Sequence, residues 1–438
     1  MSKKLFISSM LALLMMFVHQ SSWGEGTGLP KAPNWSFGAE IPIFKELGVT
    51  YKGPANGPNP AIENAKIINS WGYKAKPIEE IKDLLPEEFY EVLKNPKKWG
   101  DFRINEIADI PIPTKGTLYE KYLALTEKYK GTCTLDARGQ LQNYVGGRPF
   151  PGADPEKDVM KLMWNWEKTY YRDDMPAGFL ASNIDASGFT RNAFAEKLVM
   201  RFDTRLEADP NPLYKPNPKG IDNILAYGYS APYNVAGMIQ LTYRYYDPDK
   251  EDDTWMYIPA MRRVRRMSTA QRQDRMPAGM NFIYDTNEGF QGKLARWHWK
   301  YLGKKVMLSP ANGTTQLQID LKGHMTGVDN RYYRTTMYIV EGTPEKAITV
   351  SKIKLYIDSE RLLIPYAVNY DVKGRPWFFQ YYGYSPDGKW IPCPYNMFSI
   401  DLQRTYSTRA LLTSTDFNLG MKPEDFSMEV LKRKYQQR

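Results

Sequence analysis

The chain has 438 residues, 59 Lys and Arg against 49 Asp and Glu, a formal charge of +10, and only two cysteines and three histidines. That length buries a core without disulfide or metal support, and so few Cys and His at unrelated positions exclude a recognisable zinc framework. Aromatics are 14% of the chain, with 31 Tyr and 11 Trp, a composition that suits strands or surfaces with one dry and one wet side.

The chain opens with Lys3 and Lys4, an apolar run from Leu5 to Val18, and small residues at Ser22 and Gly24. This is the layout of a cleaved signal peptide over residues 1–24. The run is 14 residues, short of the roughly 20 that a bilayer span needs. A soluble periplasmic protein is expected, with association to the outer membrane open. Neither cysteine lies near the cleavage point to carry a lipid. Cleavage removes two lysines and no acid, so the charge falls to 10 − 2 = +8. Export takes the chain away from nucleic acid, so this excess points to anionic lipid headgroups, acidic polymers or an acidic partner, or simply to solubility.

Residues 25–135 read as an extended arm and a helical segment. Gly53, Pro54, Gly57, Pro58 and Pro60 mark the arm. Asn59-Pro60 opens and Gly72 closes an expected helix ending at Trp71. Ile78, Ile81, Leu84 and Leu85, then Phe89, Val92 and Leu93, make one helical face interrupted by Pro86. Leu118, Tyr122, Leu125 and Tyr129 make a third stripe.

Beyond residue 135 the period changes to that of strands, and 136–438 reads as one sheet domain. Runs fall at 194–206, 238–246, 255–259, 294–308 and 331–340. The clearest part is a meander over 352–390, with turns at Ser359-Glu360, Lys373-Gly374 and Asp387-Gly388. Short turns make neighbouring strands antiparallel. About ten strands exceed a comfortable flat sheet, so the fold expected is mainly β (α+β), a strongly curved antiparallel sheet or half-barrel with helices over the concave face.

In the stretch from Asp252 to Arg266, Trp255, Tyr257 and Pro259 alternate on one strand face, and then Arg262, Arg263, Arg265 and Arg266 place charge on both. Arg272 and Arg275 extend the cluster. Such a fork of guanidinium groups either grips phosphate or carboxylate or forms a structural network with Asp252, Asp253, Asp274, Asp285 and Glu288. Two aromatic groups, Trp164 with Trp166 and Trp297 with Trp299, either line a dry cavity or pack a core. Cys133 and Cys393 are a possible disulfide, with two free thiols as the alternative.

The catalytic motifs of hydrolases, nucleotide-binding enzymes and metalloproteases are absent. Asp173-Asp174 and Asp252-Asp253 are adjacent pairs whose members point to opposite strand faces. No cofactor, metal site or catalytic residue is assigned.

Asn143-Tyr144-Val145, Gly147-Arg148-Pro149-Phe150-Pro151, Met163-Trp164-Asn165, the segment from Asp252 to Arg266, and Gln271-Arg272-Gln273-Asp274 together resemble a family of exported Gram-negative proteins known only as a domain of unknown function. That family is similar in fold to outer-membrane lipoprotein carriers and receptors. The resemblance implies a non-enzymatic periplasmic carrier for a lipid or other hydrophobic ligand, in the setting of envelope efflux or lipid transport. This chain is about twice the size of the dedicated lipoprotein carriers. The expected site is an apolar cavity that side chains leave partly vacant, with the arginine cluster near an anionic headgroup or partner. Two other readings are a non-catalytic adaptor of an envelope transporter and an envelope glycan or lipid hydrolase.

Overall fold

The computed structural model describes residues 53–54, 65–100, 102–108, 114–187, 190–311, 330–386 and 392–436. The expected signal peptide, nearly all of the arm, the Asn59-Pro60 pair and the turn at 387–388 lie outside the described residues.

One sheet dominates. From one edge it runs through β11 (Arg263–Arg266), β10 (Asp253–Ile258), β9 (Ile239–Tyr245), β8 (Ile221–Ala231), β7 (Thr190–Arg201) and β6 (Asp174–Ile184). It continues through β18 (Tyr406–Thr415), β17 (Pro392–Asp401), β16 (Pro376–Pro386), β15 (Tyr366–Tyr370), β14 (Lys352–Asp358) and β13 (Asn330–Pro344). There β12 (Trp297–Pro310) pairs along β13, and β3 (Arg103–Ile107) and β2 (Ile67–Gly72) follow its start. The ladder is antiparallel except where β13 meets β3 and where β1 (Gly53–Pro54) lies beside β18. A separate pair joins β4 (Thr134–Leu135) and β5 (Leu141–Gln142). The sheet is strongly curved and does not close on itself. The meander read from the sequence is present as β14, β15 and β16.

Strand alternation sorts side chains onto two faces. On β7, Ala193, Ala195, Lys197, Val199 and Arg201 share the face that meets Leu225 and Tyr227 of β8 and, across the sheet, Met397 and Tyr382. Asn223 of β8 and Arg244 of β9 line one hollow on this face together with Leu362 and Leu363 between β14 and β15, strands far apart in the ladder, so the sheet curves toward this face, the concave one. Two elements cover it. One is the helix Val159–Glu167, capped by the Asp158 carboxylate accepting from the amides of Met160 and Lys161 at 3.1 and 3.4 Å. The other is the irregular segment 267–296, which buries Met276, Met280, Phe282, Tyr284, Phe290 and Leu294.

The convex face is covered separately at its two ends. A 3-10 turn at Ile78–Leu84 and the helices Glu87–Leu93 and Pro96–Trp99 lie over one half, where Phe89 stacks on Phe379 with centroids 5.1 Å apart. Pro86 separates the turn from the helix, as the sequence predicts. The C-terminal helix Met428–Gln436 covers β8–β10. Its Tyr435 ring sits where a Cβ on Gly228 would come within 2.3 Å of it, so any larger residue there would have to displace the ring.

The expected helix ending at Trp71 is a correction: Ile67–Gly72 is a strand paired with β3. Isoleucine-rich chain next to a partner strand gains a ladder that an isolated short helix lacks. Gly72, read as a helix stop, instead takes φ +95 against the Phe102 carbonyl. The third stripe forms the helix Leu118–Lys128, with Leu118 and Tyr122 buried.

Candidate functional site

The segments that carry the family resemblance act as structural clamps. Asn165 accepts from the Phe150 amide at 2.8 Å and donates to its carbonyl at 2.7 Å. Gly147 lies so close to the Leu118–Lys128 helix that a Cβ would fall 2.3 Å from the Thr126 nitrogen. Arg272 and Gln273 both hold Asp285, at 2.6 and 2.5 Å. Each of the paired aspartates ties down a loop: Asp173 accepts the amides of Leu206, Glu207 and Ala208, and Asp174 those of Leu419, Gly420 and Met421.

The six-arginine cluster is divided. Arg262 closes a turn at φ 51, and Arg263, Arg265 and Arg266 stand exposed on the edge strand β11. Arg266 pairs with Asp253, while Arg262, Arg263 and Arg265 have no ion-pair partner among the described residues. Arg272 and Arg275 leave the edge and anchor the covering segment, Arg275 on Asp401 at 2.6 Å.

Trp255 and Tyr257 lie on the convex face beneath the C-terminal helix. Trp255 meets Tyr243 edge-on, and the Lys432 ammonium sits 4.4 Å from the Tyr257 ring. Trp164 is buried and donates to the Gly139 carbonyl at 2.7 Å. Trp297 and Trp299 stack 6.0 Å apart, with Phe290 edge-on to both. All three indoles pack one core cluster under the Val159–Glu167 helix and do not line the cavities described next. Cys133 is a free, half-buried thiol; the side chain of Cys393 lies outside the described residues.

The covering segment and the helix lie over the concave face, and among the described residues two neighbouring hollows lie between them and the sheet. The apolar one, about 40 Å³, is walled by Ala181, Ala193, Ala195, Ala410 and Met397 on the sheet and by Met276, Met280 and Phe282 above. The other, about 110 Å³, is charged, with Arg172, Lys197, Arg201, Arg244, Glu167 and Glu288 among its lining.

Glu288 borders both hollows and pairs with Lys197. It is held at φ 52, a conformation that costs a non-glycine residue about 1–2 kcal/mol and that the docked segment must impose. Burial works against its charge, but Lys197 and Arg172 outweigh this and hold its carboxyl below the usual value. Glu167 is the opposite case: burial pushes its carboxyl up, despite Lys168 and Arg201. The Arg172 side chain is 4% exposed and stacks on the Tyr171 ring at 3.5 Å. Its Nε and Nη1 have no hydrogen-bond partner, and its contact with Glu288 is 4.0 Å.

Of these six charged residues, which span positions 167 to 288, only Glu288 stands out in the sequence, as a candidate partner of the arginine cluster. The available signal was alternation, which puts Lys197 and Arg201 on the same strand face as Ala193, Ala195 and Val199.

The family model described as "Protein of unknown function (DUF1329)" matches residues 74–432. The chain belongs to this family. Among solved structures it is similar to a putative outer membrane lipoprotein-sorting protein domain from Vibrio parahaemolyticus, at 17% identity over 64% of this chain and 100% of that one, with a TM-score of 0.48. A DUF1329 family protein from Desulfovibrio piger gives 16% identity, 64% and 100% coverage and a TM-score of 0.49. A LolA superfamily protein from Nitrosomonas europaea gives 11% identity, 63% and 99% coverage and 0.41. No curated protein matches the chain. In this DUF1329 chain the matched span takes in both hollows, the covering segment and all the sheet strands from β3 to β18.

Proposed function

We propose that the protein is an exported, non-catalytic binding or carrier protein of the cell envelope that holds a hydrophobic ligand on the concave face of its sheet. The observation that carries this reading is the alanine-lined hollow beneath an irregular segment. Alanines on β6, β7 and β18 leave a shallow trough, and above it Met276, Met280 and Phe282 supply the apolar cover, with Asn287 and Glu288 at its charged end. Methionine is unbranched and repacks readily, and a segment built of short 3-10 turns and loops shifts more easily than a strand of the main ladder. Moving Met276, Met280 and Phe282 aside exposes a trough for an acyl chain, whose burial contributes about 25 cal/mol per Å² less the ordering costs.

The test is equilibrium titration of the purified protein with a fluorescent 16-carbon fatty acid. Saturable binding is expected, weakened about tenfold or more by Ala195→Phe, which removes space for roughly two methylenes. Absence of binding by the unaltered protein would overturn the reading.

A second reading, a non-catalytic adaptor for an envelope transporter, is favoured by the exposed basic edge at β11. A strand edge carries free backbone groups that can pair with a partner. In that case cross-linking in cells captures one dominant protein through positions 262–266, and the fatty acid does not bind.

A further inference from the structure

We propose that the charged hollow is a headgroup site, and that the concave face takes a single-chain amphiphile with an anionic head: the head among Arg172, Lys197, Arg201 and Arg244, the tail in the alanine-lined trough. This rests on the hydrophobic-ligand reading and adds the ligand's class and orientation.

The first support is charge. Four cations line the charged hollow against two carboxyl groups. One of these, Glu288, is already engaged by Lys197. The other, Glu167, is disfavoured as an anion by its burial. Guanidinium does not shed its proton, so buried arginines need a counter-charge or an acceptor.

The second support is unmet donors. Arg172 Nε and Nη1 are buried without acceptors, and so are Arg201 Nη1 and Arg244 Nε. Their nearest acids are at ion-pair distance only: Glu288 4.0 Å from Arg172, Asp203 4.0 Å from Arg201 and Asp252 3.5 Å from Arg244. A buried donor without an acceptor is costly, and a carboxylate or phosphate head accepts from several such forks at once.

The third support is continuity. On β7 the alternation runs Ala193, Ala195, Lys197, Val199, Arg201 along one face, and on β8 Leu225 borders the charged hollow while Tyr227 borders the apolar one. Glu288 stands at the border of the two. Two neighbouring hollows, one cationic and one apolar, that share Glu288 in their walls match an acid head and its chain.

Competition against the bound fluorescent fatty acid tests this in the full chain. Palmitate and hexadecyl phosphate are expected to displace the probe at concentrations about tenfold or more below those needed for hexadecanol. Arg172→Gln and, separately, the more accessible Arg201→Gln should erase that preference, bringing the affinities for palmitate, hexadecyl phosphate and the fatty-acid probe down toward that for hexadecanol. Preference for palmitate alone, or for the phosphate alone, supports the site and names its head. Equal competition by hexadecanol, or a preference untouched by Arg201→Gln in a protein that melts normally, overturns the headgroup assignment and leaves the carrier reading intact. Failure of every amphiphile and of the probe overturns both. Should Arg172→Gln not fold, the Arg201→Gln comparison decides.

Discussion

Arg275 of the covering segment donates to the Asp401 carboxylate at 2.6 Å, and that carboxylate, on β17, is fully buried. Asp401 also accepts the amides of Gln403 and Arg404 at 3.0 and 3.1 Å. The pair pins an irregular stretch of chain to the concave face of the sheet. Arg275→Ala leaves a buried carboxylate without its cation, which costs about 3 kcal/mol. Urea denaturation should record that loss, and limited proteolysis should cut within 267–296 faster than in the unaltered protein.

Asn183, on the concave face of β6, donates to the Ala278 carbonyl at 3.2 Å. Asn183→Cys combined with Ala278→Cys places two thiols across the line where the segment lifts. If ligand entry requires lifting, the oxidised variant loses fatty-acid uptake and a reductant restores it. Equal uptake in both states would show that the segment stays in place.

The buried charges behind the hollow set an acid limit on stability. Burial opposes ionisation of Asp222, yet Lys168, Arg244 and Arg201 outweigh it and bring its carboxyl to about 2. A carboxyl depressed in the folded state stabilises fully above its unfolded value near 4, and that contribution disappears as pH falls through about 2. The shift corresponds to a contribution on the order of 2 kcal/mol. Lys168 lies 2.6 Å from Asp203 and 3.3 Å from Asp222. Burial alone would lower its ammonium, but the two aspartates raise it, so it stays charged throughout this acid range. Urea midpoints between pH 6 and 2.5 should fall less steeply in Asp222→Asn than in the unaltered protein.

At the exposed edge the expectation differs. Arg263→Glu with Arg265→Glu changes surface charge only, so the melting temperature should hold within the small range typical of surface changes. Binding to vesicles containing phosphatidylglycerol should weaken if the edge meets anionic partners, and sedimentation with those vesicles measures it.

Much of the sheet was legible because alternation and turn residues are local signals. Lys352 to Pro386 gave three strands near their observed places, and Pro86 gave the break between the 3-10 turn and the following helix. Ile67–Gly72 was misread because an Asn-Pro start and a glycine stop are helix signals too, and only pairing with Arg103–Ile107 decides between them. The Val159–Glu167 helix was missed inside a stretch read as strands, although Asp158 supplied an N-cap. The charged hollow was hidden for a different reason. Arg172, Lys197, Arg201, Arg244 and Glu288 come from four separate stretches of chain, and only the folded sheet and the strained turn at Glu288 bring them together. The arginine cluster, visible at once, is split by the fold between an exposed edge and two anchors of the covering segment.

Native mass spectrometry of the protein isolated gently from an expressing envelope tests the central claim most directly. A populated species carrying one small amphiphile, lost when Ala195→Phe narrows the trough, is the predicted result. A bare polypeptide mass under conditions that keep a known lipid-binding control loaded would contradict the account.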